Sequence, residues 1–506
     1  MSRKTSILTL FILLKFILQY FVSDPIYELH RDEYLHLDQG KYLAWGFLSV
    51  PPFTSWISYL IILLGGSTFW VKFFPAMFGA LTLLVVWKAT EALKGGLFSL
   101  ILGATAILLS VLLRINLLYQ PNSFDILAWT FLYFAILKYI DSDEQKWLFF
   151  AAVAFAIGFL NKYNIAFQIL GLLPALLLTP QRRIFLNRNL YIALLLGMLI
   201  IIPNIAWQFN NNFPVVHHMK ELAETQLVNV SRVDFLKEQL LFFVGSLFIL
   251  FAAFVSFFRY EPFVKYKVFF WSFFITLLFF AALKAKAYYA IGLYPILLAF
   301  GSVYLEKLRE KYQLKWLPFV SIAIVALFAV PLFRLALPIY NPTEIHQNSE
   351  RYARFGMLRW EDGKDHVLPQ DFADMIGWKE LAQKVDIEYE KLPYPKHTLV
   401  LCDNYGQAGA INFYSKHKNI NAVSFHADYI NWFPLTKEIR NVILIQNSDD
   451  DDKSREREKP MFRSVSLIGK IENPLAREFG TSIYVLKGAK IDINGVLKEE
   501  LDSKKW

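Results

Sequence analysis

The sequence predicts an α-helical polytopic membrane protein that ends in a soluble α/β domain. Three observations predict it. First, only 19% of the 506 residues are charged and 55% are hydrophobic, whereas soluble proteins average about 25% charged. Second, the charge is uneven: residues 1–340 hold 45 charged side chains, net +11, and residues 341–506 hold 50, net −2. Third, apolar runs recur at about the 20-residue length that crosses a bilayer. These figures exclude an ordinary soluble enzyme and a largely disordered chain. Cys402 is the only cysteine, so no disulfide framework exists. The formal net charge of +9 arises in the membrane part and does not argue for nucleic acid.

The first run, 6–23, follows Ser2, Arg3 and Lys4. A cleaved signal peptide competes with a first span, but no small-residue cleavage site follows and Lys15 interrupts the run. Further runs lie near 69–88, 96–114, 123–140, 147–161, 163–179, 189–208, 239–258, 268–283, 288–305 and 317–338. About 11 transmembrane helices are therefore expected. The stretch 53–64 (FTSWISYLIILL) is too short to span and reads as interfacial or re-entrant. With it excluded, Lys88 and Lys94, Arg182, Arg183 and Arg188, Arg259, Lys265 and Lys267, and Lys307, Arg309, Lys311 and Lys315 share one side with the N-terminus. The positive-inside rule makes that side cytoplasmic. The expected domains are 1–338 in the membrane and 339–506 on the extracytoplasmic side.

After Pro338 the texture changes. Residues 398–402, 421–425, 441–446, 464–468 and 482–487 read as strands, and 372–386 and 406–416 as helices. Strands alternating with helices suggest a small α/β domain. The run 449–459 (DDDDKSREREK) reads as a solvated loop. Gly406 and Gly409 alone do not argue for a nucleotide, and no Walker-type loop appears.

The expected outer side collects the loop 24–68, the turn 114–122, the junction 161–163, the loop 209–238 and the junction 284–289. Charges at span ends are costly and are usually functional. Asp32 and Glu33, with His30 and Arg31 beside them, are candidates for a general base toward a hydroxyl. Either carboxylate also suits capping of a helix beginning near Asp32. Asp125 lies one step inside the next outer-side helix, where Asn122 or Ser123 is the better cap. Lys162, Lys284 and Lys286 are point-charge partners for a phosphate; snorkelling is the plain alternative. Tyr163, Tyr288 and Tyr289 also suit an interfacial belt. His217 and His218 lack a metal-ligand spacing, so no metal site and no cofactor are expected. Carboxylates and cations at the membrane edge imply attack on a carbon whose phosphate leaves, from a substrate with a lipid tail.

These residues resemble the GT-C class of membrane glycosyltransferases, of the bacterial family 39 and family 83 type. Relatives include protein O-mannosyltransferases and the lipid A aminoarabinose transferase. The resemblance rests on Arg31-Asp32-Glu33-Tyr34, Trp45-Gly46 with Pro51-Pro52, Ser123-Phe124-Asp125, Asn161-Lys162-Tyr163, and Lys286, Tyr288, Tyr289, Tyr294 and Pro295. In the last third it rests on Gln370–Asp374, Gly377-Trp378, Tyr405–Ala410 and Ser424–His426. It implies the GT-C fold and transfer, with inversion, of a sugar from a polyprenyl-phosphate donor. The acceptor is a glycolipid such as lipid A, a surface glycan or a protein. Asp32, Glu33 and Asp125 become candidate catalytic acids and bases. Arg31, Lys162, Tyr163, Lys284, Lys286, Tyr288 and Tyr289 become candidate donor-phosphate contacts, and His30, Tyr34, His217 and His218 candidate substrate contacts. Relatives commonly place an acidic residue and a His before the double proline; Ser49-Val50 stand here, which bears on substrate choice. A transporter or flippase is the main rival. It predicts ionisable residues near mid-membrane and repeated halves, neither of which is apparent.

Overall fold

The computed structural model describes residues 2–505 and divides the chain into two compact units. One comprises residues 1–23, 50–54 and 64–339, and the other 24–49, 55–63 and 340–506.

Up to residue 339 the helices are α1 Arg3–Phe21, α2 Arg31–Gln39, α3 Phe53–Leu63, α4 Thr68–Ala92, α5 Leu97–Leu108, α6 Leu112–Ile115, α7 Asn122–Ser142, α8 Lys146–Asn161, α9 Ile165–Leu177, α10 Arg188–Asn210, α11 Pro214–Thr225, α12 Arg232–Leu241, α13 Leu247–Arg259, α14 Lys267–Ala282, α15 Pro295–Tyr312 and α16 Leu317–Pro331. Helix is the natural state of these apolar runs, because in lipid each backbone group must be satisfied within its own segment. All eleven expected runs are helical, but six segments are long and apolar enough to cross a membrane unbroken. Three further pairs are bent: 165–177 with 180–186 by 107°, 232–241 with 244–259 by 63°, and 287–293 with 295–312 by 49°. Pro180 and Pro295 open the second limb of two of them, as expected of a residue without an amide donor. Helices α5 and α8 are shorter, at 12 and 16 residues. By length and composition, six helices among the described residues can cross unbroken, or up to nine if each bent pair is one span, against the eleven apolar runs expected. Helix α3 is 11 residues, about 16 Å long at 1.5 Å per residue.

Close packing in the membrane unit depends on small residues. A Cβ on Gly301 of α15 would stand 1.9 Å from the Ile249 carbonyl oxygen of α13. Glu306, buried on α15, accepts from the amides of Gly96 and Phe98 and the Ser99 hydroxyl. It thereby caps α5 from another helix. Helix α10 keeps Leu194, Leu195, Met198, Leu199 and Ile202 exposed, the apolar surface of a lipid-facing span.

The second unit continues with α17 Pro342–Gln347, α18 Ser349–Ala353, α19 Gln370–Ala373, α20 Trp378–Lys391, α21 Tyr405–Tyr414 and α22 Ile493–Lys504. Its strands are β1 Thr398–Cys402, β2 Ala422–Ser424, β3 Asn441–Gln446, β4 Phe462–Lys470 and β5 Ser482–Ala489. They form one sheet ordered β2-β1-β3-β5-β4. The pairs β1–β2 and β1–β3 are parallel, and β3–β5 and β4–β5 are antiparallel. One expected helix is misplaced. Residues 372–386 are split between α19 and α20, because Gly377 adopts φ 92° between them, a conformation that favours glycine. The acidic run is less solvated than its composition implies: Arg455 is buried and pairs with Asp450.

Candidate functional site

The acidic loop belongs to the second unit. His30 is the N-cap of α2: its side chain accepts from the Asp32 amide, and the Glu33 carboxylate accepts from the His30 amide. This reciprocal capping box gives Glu33, only 2% exposed, a structural task. The two adjacent carboxylates are therefore not equivalent. Asp32 accepts from the Tyr405 hydroxyl of α21 at 2.7 Å, and its side chain stays 39% exposed. Burial alone would raise the Asp32 carboxyl. His30, the Tyr405 hydrogen bond, Arg31 and His36 outweigh that and hold it below its ordinary value.

Arg31 lies with its guanidinium 4.3 Å from the centroid of the Tyr405 ring. Its stem crosses Gly406, where a Cβ would meet Arg31 Cγ at 2.6 Å. Among the described residues Arg31 makes no side-chain hydrogen bond; Nε is buried without a partner. Asp374 lies 3.5 Å from His30 Nε2 and 2.9 Å from Arg477. Glu28 accepts from the amides of Trp378 and Lys379 at 2.7 and 3.0 Å, which caps α20. The Gln370–Asp374 and Gly377-Trp378 motifs thus anchor the acidic loop. Tyr34, expected as a substrate contact, is fully buried against Trp378, Phe413 and Tyr414 and serves packing.

In the membrane unit Asp125 sits in the first turn of α7. Its Oδ1 accepts from Trp129 Nε1 at 3.1 Å and its Oδ2 from Asn164 Nδ2 at 3.0 Å. Helix α7 starts at Asn122 without a side-chain cap, so neither Asn122 nor Ser123 fills the expected capping role. Asn122 instead accepts from Lys162 Nζ at 2.7 Å, and the Ser123 hydroxyl donates to the Ile115 carbonyl. Lys162 lies 4.3 and 5.0 Å from the ring centroids of Tyr289 and Tyr288. Asn161 donates to the Pro121 carbonyl at 2.9 Å, which ties the end of α8 to the start of α7. Lys286 donates to Gln226 at 2.7 Å. Tyr163 donates to Asn204 and accepts from Gln208, a structural pairing. Lys284 sits at a turn with φ 53°. His218, on α11, lies in the field of Lys286 and Glu221; His217 beside it is exposed. The membrane unit therefore joins Asp125 with Lys162, Tyr288 and Tyr289, and the second unit joins Arg31, Asp32 and His30.

Sequence reasoning missed several partners. Trp129 and Asn164 on Asp125, Asn122 on Lys162 and Gln226 on Lys286 are neutral or aromatic, so no charge pattern marks them. Among the described residues no three His, Cys, Asp or Glu side chains are grouped to hold a metal ion.

Three comparisons bear on this arrangement. Residues 49–207 match the family described as dolichyl-phosphate-mannose-protein mannosyltransferase. A 198-residue stretch is 25% identical to the lipid A galacturonosyltransferase RgtD of Rhizobium johnstonii. That match covers 37% of this chain and 41% of RgtD, so it spans about two fifths of the relative's length. The fold matches ArnT of Cupriavidus metallidurans bound to undecaprenyl phosphate, with a TM-score of 0.63 at 16% identity over 95% of this chain and 98% of that one. Apo ArnT gives 0.64 at 15% identity over 96% and 98%. The chain is a multi-pass membrane protein with the fold of the GT-C membrane glycosyltransferases.

Proposed function

We propose that the protein is an inverting glycosyltransferase that moves a sugar from a polyprenyl-phosphate donor to an acceptor hydroxyl at the outer face of the membrane. The observation that carries the proposal is the pairing of Asp32 with Arg31. A part-exposed carboxylate held in its ionised form stands next to a guanidinium with no hydrogen bond of its own. Asp32 takes the proton of the acceptor hydroxyl. The acceptor oxygen bonds to the anomeric carbon as the bond from that carbon to the phosphate oxygen breaks. The electron pair leaves on the phosphate. Arg31 is assigned to the charge of the departing phosphate. Undecaprenyl phosphate bound to ArnT supports the donor class. RgtD, a lipid A galacturonosyltransferase, supports a lipid A-type acceptor.

This assignment places the N-terminus in the cytoplasm and residues 339–506 outside. A reporter fused after residue 345 is then active only outside the cytoplasm; cytoplasmic activity refutes the topology. The chemistry is tested with the full chain in lipid, a labelled polyprenyl-phosphate sugar and a lipid A-type acceptor. Asp32→Asn should lower turnover about 10²–10⁴-fold, the usual share of general base catalysis. Unchanged turnover would overturn the role of Asp32.

A further inference from the structure

We propose that Tyr405, at the head of α21, is a positioning residue that sets both the protonation and the aim of Asp32 and seats Arg31 beside it. This rests on the reading of Asp32 as the base. One phenol serves two neighbours at once. Its hydroxyl donates to Asp32 Oδ1 at 2.7 Å, and its ring face lies 4.3 Å from the Arg31 guanidinium carbon. The ring is parallel to His426 on the same domain, at 6.1 Å between centroids.

Backbone chemistry holds Tyr405 in place. Asn404 caps α21 by accepting from the amides of Gly406 and Gln407, and Gln407 returns a bond to the Asn404 amide. Asn404 and Gln407 are anchored in turn by buried Glu478. The first turn of α21 is therefore fixed before any ligand arrives. Gly406 is the one residue type that lets the Arg31 stem pass, because a Cβ there would meet Arg31 Cγ at 2.6 Å and Trp378 at 3.1 Å. The Tyr405-Gly406 pair is thus a seat for two side chains more than 370 positions earlier in the chain.

A hydroxyl that donates to a carboxylate favours the ionised form. Among the groups that face Asp32 are His30, Arg31 and His36 on α2 and its cap, Tyr405 on α21, and Asp374 in the 370–378 segment. Burial and the Asp32 charge push the Tyr405 hydroxyl well above the ordinary phenol range, so it remains a donor throughout the working pH range. Loss of the hydroxyl leaves His30, Arg31 and His36 to hold Asp32 ionised against Asp374 and burial.

The test is the pH dependence of kcat for the full chain in lipid with a polyprenyl-phosphate sugar donor. Tyr405→Phe keeps the ring under Arg31 and deletes only the hydroxyl. Its acid limb should move up by about one pH unit, a tenfold change in proton affinity, with the donor KM within about twofold. Site-specific 3-fluorotyrosine at 405 is a stronger donor of nearly the same shape, so its acid limb should move down. Tyr405→Leu removes the ring as well and should raise the donor KM about tenfold. A purely structural Tyr405 would lower the folded yield and leave both acid limbs in place, and that result overturns the proposal. If Asp32→Asn is inactive and the limbs do not move, the base reading stands and the role of Tyr405 fails. If Asp32→Asn is fully active, the base reading itself fails.

Discussion

Asp32 and Glu33 are adjacent carboxylates with different work, and substitution separates them. Glu33 is 2% exposed and closes the capping box on the His30 amide. Glu33→Gln keeps an acceptor oxygen of the same reach, so both cap and activity should persist. Glu33→Ala leaves the buried His30 amide without its acceptor, at about 1–3 kcal/mol. For a unit of this size, that lowers the unfolding midpoint by about 2–4 °C per kcal/mol. Asp32 holds no cap. Asp32→Asn should leave the midpoint within about 2 °C and lower kcat about 10²–10⁴-fold. The assay pairs thermal unfolding in detergent with single-turnover transfer from labelled donor. If Glu33→Gln lost turnover as Asp32→Asn does, with unchanged stability, the division of labour read from the capping box would be wrong.

Three further outcomes follow from the geometry. Gly406→Ala drives a Cβ into Arg31 and into the fully buried Trp378; it should cost about 1–3 kcal/mol of stability and raise the donor KM, read by unfolding and steady-state kinetics. Asp125 has donors on both oxygens and lies in the field of Lys162, so Asp125→Asn should raise the donor KM about tenfold more than it lowers kcat. A kcat loss equal to that of Asp32→Asn would move the base to Asp125. Asp428 is buried and its carboxyl is pushed up to about 6, so the folded state binds its proton more tightly than the unfolded state. Its contribution to stability falls as pH rises from about 4 through 6, by about 3 kcal/mol. Asp428→Asn should abolish that share of the difference between unfolding midpoints at pH 5 and pH 7.

Most of the fold is legible in the sequence, because a 20-residue apolar run has one stable state in lipid. The breaks are less legible. Pro180 and Pro295 look like ordinary residues near span ends until the chain turns at them. In the acidic loop the sequence points to a start near Asp32, because His is not among the favoured N-caps. The true start is Arg31, capped by His30. That single-residue offset decides which carboxylate faces the cap, and hydropathy carries no trace of it. The Tyr405-Gly406 pair was visible as a motif. Its partners lie 373 positions away, and only the packing of α2 against α21 shows what the glycines are for: Gly409 faces Tyr34 as Gly406 faces Arg31.

The charges that fit neither bilayer nor solvent sort by their partners. Glu306 spends its charge on the amides of α5. Lys15, buried in α1, donates to Gln19. Asp125 has two donors, and Lys162 has Asn122 and two aromatic rings. Each of these is paid for within the fold. Arg31 differs: its guanidinium lies over the Tyr405 ring, and among the described residues no acceptor takes its hydrogens. A structural cation is paired by the residues that need it. A cation over an aromatic ring, with its donors unpaired beside a carboxylate kept ionised, suits an anion that arrives with the substrate and departs with the product. The phosphate of a lipid-linked sugar is such an anion, which is the reason Arg31 of the acidic loop is proposed as its partner.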